Sequence, residues 1–120
     1  MRLCGDGVYK MSKYHSKKTT LDGITFDSKR EASHYAELKM LQRCGAIRDL
    51  RLQPTYLLQE SFKKNGKTYR KIEYKADFEY FDIQQGKVVV EDVKGVKTEV
   101  YKLKKKLFEY KYPDLTITEV

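Results

Sequence analysis

The chain reads as an α/β domain, a mixed β-sheet flanked by helices in the order α-β-β-β-α-β. Three observations predict it. Two stretches with helical spacing of apolar residues, 28–44 and 99–110, bracket three runs of strand formers. Those runs are separated by the turn signals KKNG and IQQG. A chain of 120 residues with 40% hydrophobic residues is one domain's length and can bury a core.

Each element has a local reason. Residues 1–18 are polar and basic without periodicity, which predicts a flexible arm ahead of a folded domain over 19–120; Met11 is an alternative start. TLDGITF is a short strand or turn around Gly23. Residues 28–44 open with Ser28 and Glu31 in the S-x-x-E capping pattern and close at Gly45. Residues 47–58 form a strand interrupted at Pro54, which supplies no ladder donor. Residues 67–82 alternate cleanly as one long strand, and 87–94 follow as its neighbour. Helix 99–110 carries Val100, Leu103, Leu107 and Phe108 on one side, Pro113 ends it, and LTITEV closes as a strand.

The charge is lopsided. Lys and Arg number 25 against 17 Asp and Glu, a net charge of +8. Arg2, Lys10, Lys13, Lys17 and Lys18 crowd the arm against Asp6 alone, and Lys102, Lys104, Lys105 and Lys106 crowd the second helix. A basic surface attracts polyanions, because neutralising phosphates releases condensed counterions. Lys102, Lys105 and Lys106 either track a phosphate backbone or form the solvated face of their helix. Cys4 and Cys44 have no metal-ligand spacing, which predicts free thiols in a reducing compartment and a cytoplasmic protein. No run approaches the ~20 apolar residues of a membrane span, and MRLCGDGVYK lacks the apolar run of a secretory signal.

Strand parity isolates a candidate site. On the long strand Lys71, Glu73, Lys75, Asp77 and Glu79 share one face, and Ile72, Tyr74, Ala76, Phe78 and Tyr80 the other. On the next, Val88, Val90, Asp92 and Lys94 point one way and Val89, Glu91 and Val93 the other. A hairpin through IQQG brings Asp77 to the Asp92 end of its partner. Two carboxylates can hold Mg²⁺ or Mn²⁺ beside a phosphate, and a lysine can orient or deprotonate the attacking water. The plainer alternative is a surface hairpin with cross-strand Asp–Lys pairing.

Asp77 followed by Asp92-Val93-Lys94 resembles the D…(D/E)xK signature of the PD-(D/E)XK nuclease superfamily, with Ala76 where the family's name has proline. The strand context and following helix resemble phage endonuclease I, a Holliday-junction resolvase, and TnsA-type transposase nucleases. SKYHSKKTTLDGITFDSKREA, LQP and EDVKGVKT resemble small phage and prophage proteins assigned to this superfamily. The resemblance implies a restriction-endonuclease-like fold and metal-dependent cleavage of DNA, with branched or duplex substrates and a homodimer acting in a bacterial host's cytoplasm. It implies Asp77 and Asp92 as ligands of Mg²⁺ or Mn²⁺, Lys94 as the water's partner, and Glu31 as an assisting acid from the first helix. Glu31 also lies at i, i+4, i+7 and i+11 with Tyr35, Leu38 and Gln42, which turns it inward; alternatively it only caps its helix. Gln53 in RLQPTY resembles a glutamine that holds water or phosphate in related nucleases. With Lys13, Lys17, Lys18, Lys102, Lys105 and Lys106 it completes the expected nucleic-acid contacts. A non-enzymatic nucleic-acid-binding protein and an RNA-directed nuclease are the competing classes.

Overall fold

The computed structural model describes residues 18–93 and 97–120. The arm residues Lys13, His15 and Lys17, together with Cys4 and Lys94, lie outside the described residues. The fold is mixed α/β, and the chain divides into two compact units, Met1–Glu37 and Leu38–Val120.

In the first unit, β1 (Thr19–Leu21) and β2 (Ile24–Phe26) form an antiparallel hairpin. Its turn residues Asp22 and Gly23 have φ of +55° and +75°, the pairing a two-residue hairpin turn demands. Helix α1 (Lys29–Arg43) begins beside it. Ser28 Oγ accepts the Glu31 N–H at 3.1 Å, and Glu31 Oε1 accepts the Asp27 N–H at 3.3 Å, a reciprocal cap one residue wider than the sequence pattern. Tyr35 stacks at a tilt on Phe26, with ring centroids 5.1 Å apart, and donates its hydroxyl to Asp22 at 3.0 Å.

In the second unit, α1 ends as Gly45 predicts. Gly45 stands at φ +84°, its N–H reaches the Gln42 carbonyl, and the Ala46 N–H reaches that of Leu41. β3 (Ile47–Leu52) follows, with a bulge between Arg48 and Arg51 where Asp49 takes φ +56°. The Leu50 N–H in that bulge bonds the Gln42 side chain at 3.0 Å.

The chain continues through β4 (Thr55–Gln59), β5 (Phe62–Lys64), β6 (Lys67–Tyr69), β7 (Ile72–Lys75), β8 (Phe78–Asp82) and β9 (Lys87–Asp92). Helix α2 (Glu99–Lys111) and β10 (Ile117–Glu119) complete it. The main sheet has the order β10-β9-β8-β3, with β9 parallel to β10 across α2 and its other neighbours antiparallel. β4 pairs with β7, and β5 with β6, as separate two-stranded ribbons.

The single long strand expected over 67–82 is therefore three strands, and its one break inside the ladder has a local cause. Gln53 turns to φ +50°, and Pro54 has no N–H to continue the pairing. The facing strand breaks at the same level. Gln53 donates its N–H to the Asp77 carbonyl at 2.9 Å, and Ala76 donates to the Pro54 carbonyl at 3.1 Å. The β3–β4 and β7–β8 arms bend together there, and side-chain parity does not carry across. Tyr74 and Ala76 join Val90, Tyr56, Leu58, Tyr101, Phe108 and Ile117 in the core under α2. Beyond the break Phe78 pairs with Glu91, opposite in parity to Val90, so Phe78 and Tyr80 belong to the other face of the sheet.

The inward face of α2 also differs from expectation. Val100 and Leu103 are 62% and 57% exposed, whereas Tyr101 and Phe108 are buried. Tyrosine takes the inner positions because its polar end finds a partner: Tyr101 donates to Glu119 at 2.7 Å, and Tyr112 to the Leu57 carbonyl at 2.8 Å. Thr98 caps the helix, accepting the Tyr101 N–H at 3.1 Å.

Candidate functional site

The β8–β9 hairpin turns through residues 83–86, where the Gly86 N–H bonds the Asp82 carbonyl at 2.7 Å. Its antiparallel register runs from Asp82↔Lys87 to Phe78↔Glu91, which leaves Asp77 and Asp92 just beyond its last pair, at the open end. Asp77 stays tied to β9 there. Its N–H donates to the Glu91 carbonyl at 3.1 Å, and its Oδ2 accepts the Val93 N–H at 2.6 Å. Asp77 therefore lies at the Asp92 end of β9, as a hairpin through IQQG predicts.

Asp92 is 1% exposed, and Tyr74 from β7 donates its hydroxyl to Asp92 Oδ2. Burial, the Asp92 hydrogen bond and the nearby charges, Asp77 among them, push the Tyr74 phenol well above its usual range. That phenol therefore stays protonated and donates to Asp92 while lying in the field of both carboxylates. Burying an ionised carboxylate is costly unless donors surround it, and a fixed phenol is one such donor.

Another carboxylate, Glu119, lies on the neighbouring strand β10. The parallel register pairs Glu119 with Asp92. Glu119 accepts from Tyr101 at 2.7 Å, from Lys97 at 2.9 Å and from Lys105 at 3.4 Å. Those donors, the Tyr101 hydroxyl and Lys97 foremost, hold its carboxyl down at about 2. Lys105 is thus turned toward the sheet edge rather than along an outer helix face. Lys102 pairs with Glu99 at 3.3 Å, and Lys106 is exposed.

The other candidates divide. Gln53 is exposed and lies against Asp77 through its backbone. Glu91 is 7% exposed but receives the Tyr80 hydroxyl at 2.6 Å, on the opposite face from Asp92. In the first unit, Glu31 is 7% exposed, as its helical stripe predicts, and one of its oxygens caps α1. Lys18 is exposed and pairs with Asp27 at 3.5 Å. His34 is half-buried, with Nδ1 3.5 Å from Glu37. Among the described residues no group of three or more His, Cys, Asp or Glu is placed to hold a metal ion.

Sequence reasoning missed the tyrosines. Five donate to carboxylates: Tyr35 to Asp22, Tyr56 to Glu79, Tyr74 to Asp92, Tyr80 to Glu91 and Tyr101 to Glu119. Partners 11 to 23 residues apart leave no spacing signal, and only the shared abundance of tyrosine and acid on neighbouring strands pointed to them.

Searches among curated proteins and among solved structures found no match. The family described as protein of unknown function (DUF1064) matches over residues 11–120, which takes in every described element. The chain belongs to that family.

Proposed function

We propose that the chain is a metal-dependent endodeoxyribonuclease of the PD-(D/E)XK superfamily, with a restriction-endonuclease-like fold. It hydrolyses phosphodiester bonds in DNA, favours branched duplexes of the Holliday-junction kind, and serves phage replication or recombination as a homodimer in the host cytoplasm. The observation that supports the reading is the placement of Asp77 at the Asp92 end of the β8–β9 hairpin, where its Oδ2 accepts the Val93 N–H. Carboxylates so placed suit a hard divalent cation, and the Tyr74 hydroxyl fixes Asp92 in orientation.

Asp77 and Asp92 would hold Mg²⁺ or Mn²⁺, which supplies Lewis-acid polarisation of the phosphate and offsets the repulsion between carboxylates and phosphodiester. Lys94, two residues beyond Asp92 in the chain, orients the attacking water or takes its proton. Gln53, beside Asp77, steadies a water or phosphate oxygen. Lys106 and Lys102 add positive charge along α2, and Lys18 does so in the first unit.

The test is incubation of the purified chain with a four-way junction, a flap, a linear duplex and RNA, with and without Mg²⁺ or Mn²⁺. Cation-dependent cutting of the junction, lost in Asp77→Asn and Asp92→Asn, supports the proposal. A second reading, a non-enzymatic nucleic-acid-binding module, draws on the internal donors that both carboxylates already have. Binding without cleavage of any substrate would favour it.

A further inference from the structure

We infer that the β5–β6 hairpin is a docking arm for duplex DNA. The idea rests on DNA being the ligand but not on the proposed chemistry.

Residues 59–71 are exposed without exception, and among the described residues β5 and β6 pair with no third strand. The ribbon nevertheless has a defined shape. Asn65 and Gly66 at its tip have φ of +53° and +74°, as a tight two-residue turn requires. Phe62 and Tyr69, paired across the strands, stack with centroids 4.7 Å apart and planes 11° from parallel. An isolated two-stranded hairpin is marginal in water, so this brace matters.

The charge on the ribbon has one sign. Residues 61–71 hold Lys63, Lys64, Lys67, Arg70 and Lys71 and no acid. The register sets Lys64 directly against Lys67, on the face that carries Phe62 and Tyr69, while Lys63 faces the other way opposite Thr68. Like charges directly opposed weaken a strand pair, so folding alone does not favour this arrangement. A polyanion laid along the ribbon reverses the sign of that interaction.

The shape selects the polyanion. The B-form major groove is ~12 Å wide and admits a two-stranded ribbon, whereas the A-form RNA major groove is too deep and narrow for side chains to read. Open ring faces would suit unstacked bases, but Tyr69 is stacked on Phe62 and carries the Lys67 ammonium 5.2 Å over its ring. The aromatic pair therefore braces the arm rather than serving as a base-stacking platform, and duplex DNA fits better than a single strand.

Fluorescence anisotropy with the full chain tests this, using a short B-form duplex in EDTA across a salt series. Lys63→Gln/Lys64→Gln/Lys67→Gln should flatten the slope of log K against log salt by up to ~2.7, about 0.9 per phosphate contact, and weaken binding on the order of 10²-fold at 0.1 M salt. The triple Arg variant should restore both. Phe62→Ser/Tyr69→Ser keeps every charge and should lose affinity with a smaller change in slope. Unchanged thermal melts confirm that the domain stays folded.

A wild-type chain that binds duplex DNA, with a triple Gln variant of identical slope, overturns the arm while leaving the nucleic-acid reading intact. A wild-type chain that binds no nucleic acid at low salt overturns both. Equal dependence on the three lysines for duplex RNA, single strands or anionic vesicles overturns the assignment to duplex DNA.

Discussion

Replacing Tyr74 with Phe removes one oxygen atom from the buried centre of the candidate site and leaves the ring in place. Tyr74 and Asp92 are 3% and 1% exposed, so the aspartate loses a hydroxyl donor that bulk water cannot simply replace. A hydrogen bond to a charged group contributes ~1.5–3 kcal/mol, and no cavity opens because ring volume is conserved. For a chain of this size each kcal/mol corresponds to roughly 3–5 °C in Tm, so Tyr74→Phe should melt about 5–15 °C lower. The assay is thermal denaturation followed by circular dichroism near neutral pH, first in EDTA and then in Mg²⁺. If Asp77 and Asp92 hold a cation, Mg²⁺ at about ten times its dissociation constant should add ~1.4 kcal/mol to wild type and to Tyr74→Phe, and little to Asp92→Asn. A Tyr74→Phe melt within about 1 °C of wild type would refute the argument that this bond stabilises the fold. Indifference of every variant to Mg²⁺ and Mn²⁺ would refute the cation.

Asp77→Asn and Asp92→Asn should abolish DNA cleavage while preserving or strengthening binding, since each removes negative charge near the phosphate; Glu91→Gln, on the opposite face, should lose stability rather than chemistry in a combined melting and cleavage assay. Lys94→Ala should cut junction DNA ~10²–10⁴-fold more slowly at near-normal affinity, and single-turnover rates within a few-fold of wild type would remove Lys94 from the mechanism. Glu119, ordinarily near 4.5 and held at about 2, contributes stability that is complete above about 4.5 and lost as pH falls toward 2. Urea midpoints of wild type and Glu119→Gln should therefore differ near neutrality and converge in acid, and a pH-independent difference would count against the cluster. Tyr56, Tyr74, Tyr80 and Tyr101 are all pushed above their ordinary value of 10, chiefly by burial. Their contribution is present below 10 and fades as pH rises through the raised values, so tyrosinate absorbance at about pH 11 should stay well short of full ionisation of all ten tyrosines unless the chain unfolds.

What the sequence determined by itself is local. Ser28, Glu31 and Gly45 mark the ends of α1 because capping and positive-φ termination depend only on residues within a turn. IQQG and KKNG set two hairpins, and a period of two along β9 separates Glu91 from Asp92; that was enough to bring Asp77 to the Asp92 end of its partner strand. The tertiary structure decided whatever depends on two distant segments meeting. Pro54 announced an interruption in its own strand, but not that the facing strand would break at Ala76–Asp77 and exchange parity there. Val100 and Leu103 satisfy a helical apolar pattern and are still exposed, because Tyr101 finds an acceptor on β10 and is buried in their place, while Tyr112, partly buried, bonds β4. No spacing encodes the Tyr74–Asp92 bond, since its partners are 18 residues apart on strands of different sheets. Periodicity records which side of an element is apolar, whereas a buried carboxylate is made tolerable only by a donor that another part of the chain delivers.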